Sequence, residues 1–280
     1  PGMVRAIFEE LARSDPKNHF TIGIVDDQCD THLEYDEDFA VELDTVHAAI
    51  FYGLGADGTV GANKNTIKII GDDPRFHVQA YFLYDSKKSG SQTVSHLRFG
   101  PEPIRSTYLV RSAQFIGCHV FGFLEKVDVL GRAREGATLL LNTAFGPDEV
   151  WDHLPRTVQQ QLIEKRIALY VIDATKVAKD TGMRSHTNTI LQTCYFAISG
   201  LMPREQAIAK IKHAIESTYR RKGREVVEKN FDAVDRTLAN LHRVDLPSAV
   251  DEASPAPEPQ RVNLDKAPEF IRQVTSRIIA

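Results

Sequence analysis

The sequence predicts an α/β protein with a Rossmann-like layered sheet, parallel or mixed, and with C-terminal helices flanking that sheet. Short apolar runs alternate with polar or helical segments from residue 19 to residue 173, which is the pattern of an α/β sheet. From Asn188 onward the apolar residues recur at helical spacing, with Pro203 at a helix start and Gly223 at a helix stop. The first part of the chain therefore predicts the sheet and the second part predicts the helices that cover it.

Each predicted strand is a short apolar run bounded by turn residues. In chain order the runs are HFTIGIVDD, TVHAAIFYG, FHVQAYFLYD, TVSHLRFG, FIGCHVFGF, ATLLLN and RIALYVID. The connection between Tyr84 and Thr93 is too short to hold a crossover helix, which makes a mixed sheet possible. Residues 1–15 predict an amphipathic helix before the first strand.

The chain divides into three predicted segments. Residues 1–44 predict the end of a preceding domain with an acidic loop, and residues 45–245 predict the main α/β domain. Residues 246–280 predict a linker and the start of a further domain, because VDEASPAPEPQ favours extended chain over a packed core. The chain opens on Pro1 without an initiator Met, so we expect a piece of a longer protein.

Composition excludes several functional classes. With 34 Lys and Arg against 38 Asp and Glu, the net charge of -4 provides no basic field for nucleic acid. The sequence has no secretory signal and no apolar run of the roughly 18 residues that cross a bilayer. Its cysteines, Cys29, Cys118 and Cys194, form neither a disulfide framework nor a C-x-x-C site. We therefore expect a cytoplasmic protein without membrane or nucleic-acid partners.

A glycine-rich turn is the main candidate for a binding site. GLGADGTVGANKN places Gly53, Gly55 and Gly58 in G-x-G-x-x-G spacing between a predicted strand and a predicted helix. In that motif Gly53 allows the tight turn, Gly55 lets a phosphate approach the backbone, and Gly58 lets the helix sit close to the strand. Thr59, Asn63 and Lys64 add a hydroxyl, an amide and a cation. The alternative is a close strand-to-helix junction that binds nothing.

The residues after the next strand bear on which ligand the turn would hold. A dinucleotide needs an acidic residue about 20 positions further on to hold the ribose hydroxyls, and Asp85 is the nearest candidate. Lys87 and Lys88 follow it directly and suit a phosphorylated ribose, such as that of coenzyme A with its 3′-phosphate. Two lysines in a turn are, however, more often merely solvated.

Other reactive side chains favour structural roles. Asp26, Asp27, Cys29, Asp30 and His32 predict a solvated acidic loop, because these ligand types mix hard and soft chemistry. Cys118 and His119 are neighbours on a predicted strand, so their side chains point to opposite faces and do not pair. Cys118 and Cys194 therefore predict buried core thiols.

The order of these motifs resembles one enzyme family. FYGLGADGTVGANKNTIKIIG is similar to the glycine-rich signature of the third, or gamma, domain of pyruvate:ferredoxin (flavodoxin) oxidoreductases, and YDSKKSGSQTVSHLRFGPEPIRSTYLV resembles the stretch that follows it. The resemblance continues through VWDHLPRTVQQQLIEKRIALYVIDA, MRSHTNTILQTCYFAISG, PREQAIAKIKHAIESTY and NFDAVDRTLANLHRV. FTIGIVDD resembles the end of the family's second domain, and APEFIRQVTSRIIA resembles the approach to its fourth. QCDTH and the RSHTN segment depart from the family pattern.

The resemblance implies a cytoplasmic homodimer that decarboxylates pyruvate oxidatively on thiamine diphosphate and releases acetyl-CoA and carbon dioxide. Electrons would pass through [4Fe-4S] clusters to ferredoxin or flavodoxin. The sequence has no thiamine diphosphate motif and no cysteine run for a cluster, so we expect thiamine diphosphate, Mg and the clusters in other domains of the same enzyme. The chain alone is expected to be inactive, with no catalytic residue and no metal ligand.

For this segment the resemblance implies a contribution to coenzyme A binding. By this resemblance, the residues expected to bind coenzyme A are Gly55, Asp57, Gly58, Thr59, Asn63 and Lys64, with Lys87, Lys88 and Arg98 as further anion contacts. Two other functions stay open. One is a Rossmann-type NAD-dependent dehydrogenase domain, and the other is a non-catalytic subunit-docking module.

Overall fold

The computed structural model describes residues 1–24, 31–37, 39, 41–55, 57–85, 91–183, 186–250 and 268–269. It divides into two compact units, Pro1–Val46 and His47–Ala280. The domain boundaries that we placed after residues 44 and 245 stay predictions.

The first unit contains the predicted N-terminal helix, α1, at Gly2–Leu11. The strand predicted in HFTIGIVDD is not found among the described residues of this unit, where a single bridge joins Ile22 to Leu33. A strand needs a neighbour over several residues to form a ladder, and one bridge does not supply it. The acidic-loop residues Asp26, Asp27, Cys29 and Asp30 lie outside the described residues.

The second unit is built on a mixed sheet, which confirms the predicted fold class. Its seven strands among the described residues are β1 His47–Leu54, β2 His77–Tyr84, β3 Gln92–Gly100, β4 Ala113–Cys118, β5 Ala133–Asn142, β6 Ala168–Ile172 and β7 His242–Arg243. Their order across the sheet is β2-β3-β1-β4-β5-β6-β7. Strands β1, β4, β5 and β6 are parallel, whereas β3 is antiparallel to β1 and β2, and β7 is antiparallel to β6. The short connection after Tyr84 does join an antiparallel pair.

Helices cover both faces of this sheet. They are α2 Thr59–Gly71, α3 Val150–His153, α4 Arg156–Glu164, α5 Ala174–Asp180, α6 Asn188–Ile198, α7 Arg204–Tyr219 and α8 Arg224–Asn240, with 3-10 turns at Phe121–Glu125 and Arg220–Lys222. The predicted strand FIGCHVFGF is shorter than expected. It ends at Cys118, where its pairing with Tyr52 of β1 and Leu141 of β5 stops, and Phe121–Glu125 then forms a 3-10 turn.

Successive residues of each strand point to opposite faces, and each face has its own core. On the α2 face, Phe51, Phe115 and Leu140 pack with residues of α2 and of the C-terminal helices α5 to α8. On the α4 face, Ile50, Ile116 and Leu139 pack with the 3-10 turn and with α3 and α4. The C-terminal helices therefore flank the sheet as predicted. Among the described residues, every helix is too short or insufficiently apolar to cross a membrane.

This arrangement creates a crevice between two neighbouring strands. The chain leaves β1 towards the α2 face, and it leaves the adjacent parallel strand β4 towards the α4 face. In open α/β sheets, ligands bind outside the carboxyl ends of strands at such a switch in direction. The glycine-rich turn follows β1 and therefore lies at this crevice.

Candidate functional site

The turn between β1 and α2 is held together by the side chain of Asp57. Its Oδ2 accepts a hydrogen bond from the Leu54 amide at 2.7 Å, and its Oδ1 accepts one from the Thr59 amide at 2.7 Å. Both carboxylate oxygens are thus engaged by the backbone of the turn. Asp57 fixes the loop, and its charge is directed at the protein's own N–H groups.

The start of α2 retains free backbone donors. The first helical hydrogen bond runs from the Ala62 amide to the Gly58 carbonyl at 2.9 Å, and Asp57 uses the Thr59 amide. Within the described residues, the N–H groups of Gly58, Val60 and Gly61 have no acceptor. The first turn of α2 carries no acidic residue. Three unsatisfied donors at the positive end of a helix dipole are an arrangement that favours an anion.

Two glycines of the motif are required by geometry. A Cβ on Gly53 would overlap the Thr59 hydroxyl and would lie 2.9 Å from Oδ2 of Asp57. Gly58 adopts the left-handed region with φ of 89°, and a Cβ there would lie 3.0 Å from Cβ of Asn188 on α6. The motif predicts that Gly53 is needed for the tight turn. In the structure, Gly53 makes room for the side chains of Thr59 and Asp57. Gly58 lets α2 begin against α6.

His119 is the functional candidate that the sequence did not predict. It follows β4 directly, and its amide donates to the Tyr52 carbonyl of β1 at 2.9 Å. Its buried ring places Nδ1 at 2.7 Å from Oγ1 of Thr59, while Nε2 has no hydrogen-bond partner among the described residues. Burial lowers the pKa of His119 to about 4, so the ring is neutral at pH 7. Its position at the carboxyl end of a parallel strand was the available signal.

Helix α6 fixes the position of α2 through one side chain. Nε2 of Gln192 donates to the Ala62 carbonyl at 3.1 Å and to Oγ1 of Thr66 at 2.9 Å, and its Oε1 accepts from Asn65 at 3.3 Å. Buried polar groups that are satisfied in this way tie two helices in one geometry. The start of α2 is therefore fixed by two sets of contacts. Thr59 contacts His119 after β4, and Gln192 of α6 binds the following turns.

The remaining predicted residues of the turn and of α2 differ in burial and in contacts. The Gly55 amide donates to the Ser91 carbonyl at 2.7 Å, so the glycine turn is attached to the residue before β3. Asn63 is 3% exposed, and its Nδ2 has no hydrogen-bond partner among the described residues. Lys64 is exposed, with Nζ 5.5 Å from the centre of the Phe82 ring. Asn63 and Lys64 thus lie on α2 one turn beyond the free donors.

The three weaker candidates do not join this group in the described structure. Lys87 and Lys88 lie outside the described residues. Arg98 pairs with Ala48 in the β1–β3 register, whereas Gly53 pairs with Thr93. Five residues along a strand separate the two places by about 17 Å. Arg98 is buried, donates to Oε1 of Gln79 at 3.0 Å and lies against the Tyr108 ring, so it belongs to the other end of the sheet.

Comparison with known proteins decides the family. Residues 48–239 match the family model described as pyruvate ferredoxin/flavodoxin oxidoreductase. The chain belongs to this family. It is 55% identical over 284 residues to the pyruvate-flavodoxin oxidoreductase of Nostoc sp., covering 100% of this chain and 24% of that protein. It is 54% identical over 280 residues to the enzyme of the same name from Rhodospirillum rubrum, covering 100% of this chain and 23% of that protein.

A relative from Moorella thermoacetica, a pyruvate:ferredoxin oxidoreductase, is 42% identical over 284 residues, covering 100% of this chain and 24% of that protein. The chain of this family member thus spans about a quarter of the length of the curated relatives that it matches.

Solved structures confirm the fold. The pyruvate oxidoreductase subunit PORC from Thermotoga maritima superposes with a TM-score of 0.57 at 18% identity, covering 72% of this chain and 99% of that chain. The 2-oxoglutarate:ferredoxin oxidoreductase from Magnetococcus marinus superposes with a TM-score of 0.52 at 17% identity, covering 78% of this chain and 34% of that chain. At these identities the likeness supports the fold alone.

The described cysteines of this family member do not suit a metal cluster. Cys118 and Cys194 are fully buried, as predicted for core thiols. Burial raises the pKa of the Cys118 thiol to about 12 and raises that of Cys194 further, so neither is a ready thiolate. Among the described residues, no group of three His, Cys, Asp or Glu side chains could hold a metal ion.

We predict that the stability of this chain falls as the pH falls from 7 to 5. Burial lowers the pKa values of His47, His96 and His119 to about 4, below the ordinary value of 6.5. Between these values the unfolded chain binds more protons than the folded chain, so the stability that is present above pH 6.5 is lost towards pH 4. His119 contributes about 1 kcal/mol per pH unit. Urea unfolding at pH 7, 6 and 5 measures the slope.

The control for this prediction is His119→Asn, which keeps a polar atom near the position of Nδ1 but does not titrate. Its unfolding free energy should depend less steeply on pH than that of the unmodified chain. Equal slopes for the two proteins would show that His119 is not held neutral by burial.

Proposed function

We propose that this chain contributes to coenzyme A binding in a 2-oxoacid oxidoreductase whose substrate is pyruvate, and that the start of α2 holds a phosphate group of coenzyme A. The observation that carries the proposal is the set of three free N–H groups at Gly58, Val60 and Gly61. These donors lie at the crevice between β1 and β4, where ligands bind in α/β sheets.

The electrostatics of the turn support an anionic ligand. The nearest carboxylate, Asp57, is already bonded by two backbone amides, so it does not occupy the free donors. Lys64 lies on the same helix with its ammonium group exposed. Both features favour a phosphate over a neutral group. We propose that Lys87 and Lys88 contact the 3′-phosphate on the ribose.

A solved structure of similar fold supports coenzyme A as the ligand. The oxidoreductase from Magnetococcus marinus is described with 2-oxoglutarate, coenzyme A and succinyl-CoA bound. The relatives of this chain are named for pyruvate and for flavodoxin or ferredoxin. We therefore propose that the whole enzyme converts pyruvate and coenzyme A to acetyl-CoA and carbon dioxide and passes electrons to ferredoxin or flavodoxin.

The other parts of that reaction belong outside this chain in our proposal. Thiamine diphosphate would supply the carbanion chemistry that cleaves the 2-oxoacid, and [4Fe-4S] clusters would carry the electrons. The described residues offer no cluster of ligands for either Mg or iron, which is why we assign these groups to the remaining domains. A cytoplasmic homodimer completes the proposed assembly.

The topology disfavours the NAD-dependent alternative. In a dinucleotide-binding domain the acidic residue that holds the ribose follows the strand next to the glycine-bearing strand. Here β3 lies between β1 and β2, so Asp85 at the end of β2 is two strands away from β1. That separation is about 10 Å across the sheet. Asp85 therefore does not occupy the place of the acid that holds the ribose hydroxyls in such a domain.

Calorimetry and thermal unfolding with coenzyme A, NAD and buffer alone test the proposal. We expect coenzyme A to stabilise the chain, by about 2.7 kcal/mol at a concentration 100 times Kd, and NAD to leave it unchanged. Coenzyme A without its 3′-phosphate should bind more weakly if Lys87 and Lys88 act as proposed. Stabilisation by NAD alone would favour the dehydrogenase, and no effect of either ligand would favour a docking module.

A further inference from the structure

Strand β2 is an edge of the sheet, and β3 is its one neighbour among the described strands. The amide of Asp85, which directly follows β2, donates to the Gln92 carbonyl of β3 at 3.2 Å. Backbone groups of an antiparallel strand point alternately towards its partner and away from it. Leu83, Tyr81 and Gln79 therefore bond to β3, and the residues between them point away. The outward residues of β2 are Val78, Ala80, Phe82 and Tyr84.

The backbone groups of the outward residues have no hydrogen-bond partner within the part of the chain that the structure describes. Four N–H groups and four C=O groups thus form an open row about 20 Å long. Such a row can pair with any extended peptide that reaches it. At the opposite edge of the sheet, β7 has only the two residues His242–Arg243, and this short length limits pairing. β2 is therefore the edge that a further strand can extend.

The side chains of β2 provide none of the usual protection against pairing. Its sequence, HVQAYFLY, contains no Asp, Glu, Lys, Arg, Pro or Gly, and its register with β3 runs without a bulge. Gln79 near the start of the strand donates to the Ser106 carbonyl, so a loop covers that end. Tyr81 is 58% exposed and Tyr84 is 59% exposed, and they lie on opposite faces of the strand. The second half of β2 thus offers a large ring on each face.

Most of the enzyme to which this family member belongs lies outside the chain. The chain covers 24% of the relative from Nostoc sp., which leaves about three quarters of that protein beyond the matched region. An uncharged edge with exposed rings would associate with other molecules if the complete enzyme left it bare. A segment of the same polypeptide reaches the edge at an effective concentration in the mM range, which a separate partner rarely matches. These facts favour a segment of the enzyme itself as the occupant.

We propose that an extended segment of the same enzyme, from outside residues 1–280, pairs with β2 and adds a strand to this sheet. Its backbone bonds to the four outward residues. Its side chains beside Tyr81 and Tyr84 are apolar or aromatic, because cross-strand pairs of that kind stabilise a sheet. The added strand joins this domain to the rest of the enzyme, and this role does not depend on which ligand binds at the start of α2.

Hydrogen-exchange mass spectrometry on the complete enzyme, with fragmentation that resolves single amides, tests this inference. The amides of Gln79, Tyr81 and Leu83 are the internal reference, because they bond to β3. We expect the amides of the outward residues to exchange as slowly as this reference, within about tenfold. A bare edge would let the outward amides exchange at least about 100-fold faster than the reference, and that result would overturn the inference.

Substitutions at Tyr81 test the proposed packing against the added strand. Tyr81→Lys places a charge at the edge and should speed exchange of the outward amides by roughly fivefold, with the reference amides unchanged. Tyr81→Phe keeps the ring and should match the unmodified enzyme. Undiminished protection in Tyr81→Lys would contradict apolar packing at this position and overturn the inference. Protection that disappears when the enzyme is diluted to monomers would also overturn it, since the occupant would then be a second copy.

Discussion

Replacing Gly53 by alanine is expected to lower the free energy of unfolding by about 3 kcal/mol. The new Cβ would lie 2.7 Å from Cβ of Thr59 and 2.9 Å from Oδ2 of Asp57, and both side chains belong to a packed turn. Moving Thr59 would break its contact with His119, and moving Asp57 would release the two amides that it holds. Urea unfolding monitored by circular dichroism measures the loss.

Gly61→Ala is the matched control for Gly53→Ala. A Cβ at Gly61 meets no atom within 4 Å, and Gly61 lies in the first turns of α2. Alanine is favoured over glycine in helices by about 1 kcal/mol, so this variant should be at least as stable as the unmodified chain. If Gly53→Ala proved as stable as Gly61→Ala, the close packing of the turn around Gly53 would be wrong.

Replacing Asp57 by alanine is expected to cost about 3 kcal/mol. Two backbone amides, those of Leu54 and Thr59, would lose a charged acceptor at 2.7 Å. Loss of the Thr59 bond alone resembles the loss of a helix cap, which costs about 1 kcal/mol. Thermal and urea unfolding of Asp57→Ala and Asp57→Asn measure the two effects.

The asparagine variant separates shape from charge. It keeps one carbonyl oxygen, so it can satisfy one of the two amides and should be intermediate in stability between Asp57→Ala and the unmodified chain. A greater stability of Asp57→Ala than of the unmodified chain would mean that the carboxylate is a functional charge that strains the turn. That result would contradict its role as the residue that fixes the loop.

Much of the fold follows from local pattern. The runs that become β1, β2, β3, β5 and β6 and the helical spacing after Asn188 are each confirmed by the structure. Local pattern does not predict the extent of a strand where that extent depends on pairing with a neighbouring strand. HFTIGIVDD is apolar enough for a strand but has only one bridge among the described residues of its unit, and the strand in FIGCHVFGF stops at Cys118, where its pairing with β1 and β5 stops.

The sequence predicts only part of the candidate site, because residue spacing locates a turn but does not show where its side chains point. The glycine spacing located the turn between β1 and α2. It did not show that Asp57 points inward or that Gly53 makes room for Thr59. Arg98 and His119 depend on strand register, which brings His119 to the turn and places Arg98 at the opposite end of β1. Register between distant strands is set by the whole sheet and leaves no local signature.

The most direct measurement of the central claim compares coenzyme A binding by Gly61→Asp and Gly61→Asn. Both side chains fit the open space at Gly61, and an acidic residue in the first turn favours the helix dipole, so neither variant should unfold. The aspartate places a negative charge beside the free donors, and two unit charges about 5 Å apart repel by about 3 kcal/mol. We predict at least tenfold weaker binding for Gly61→Asp and nearly unchanged binding for Gly61→Asn. Equal and undiminished affinity in both variants would contradict the assignment of the phosphate site to the start of α2.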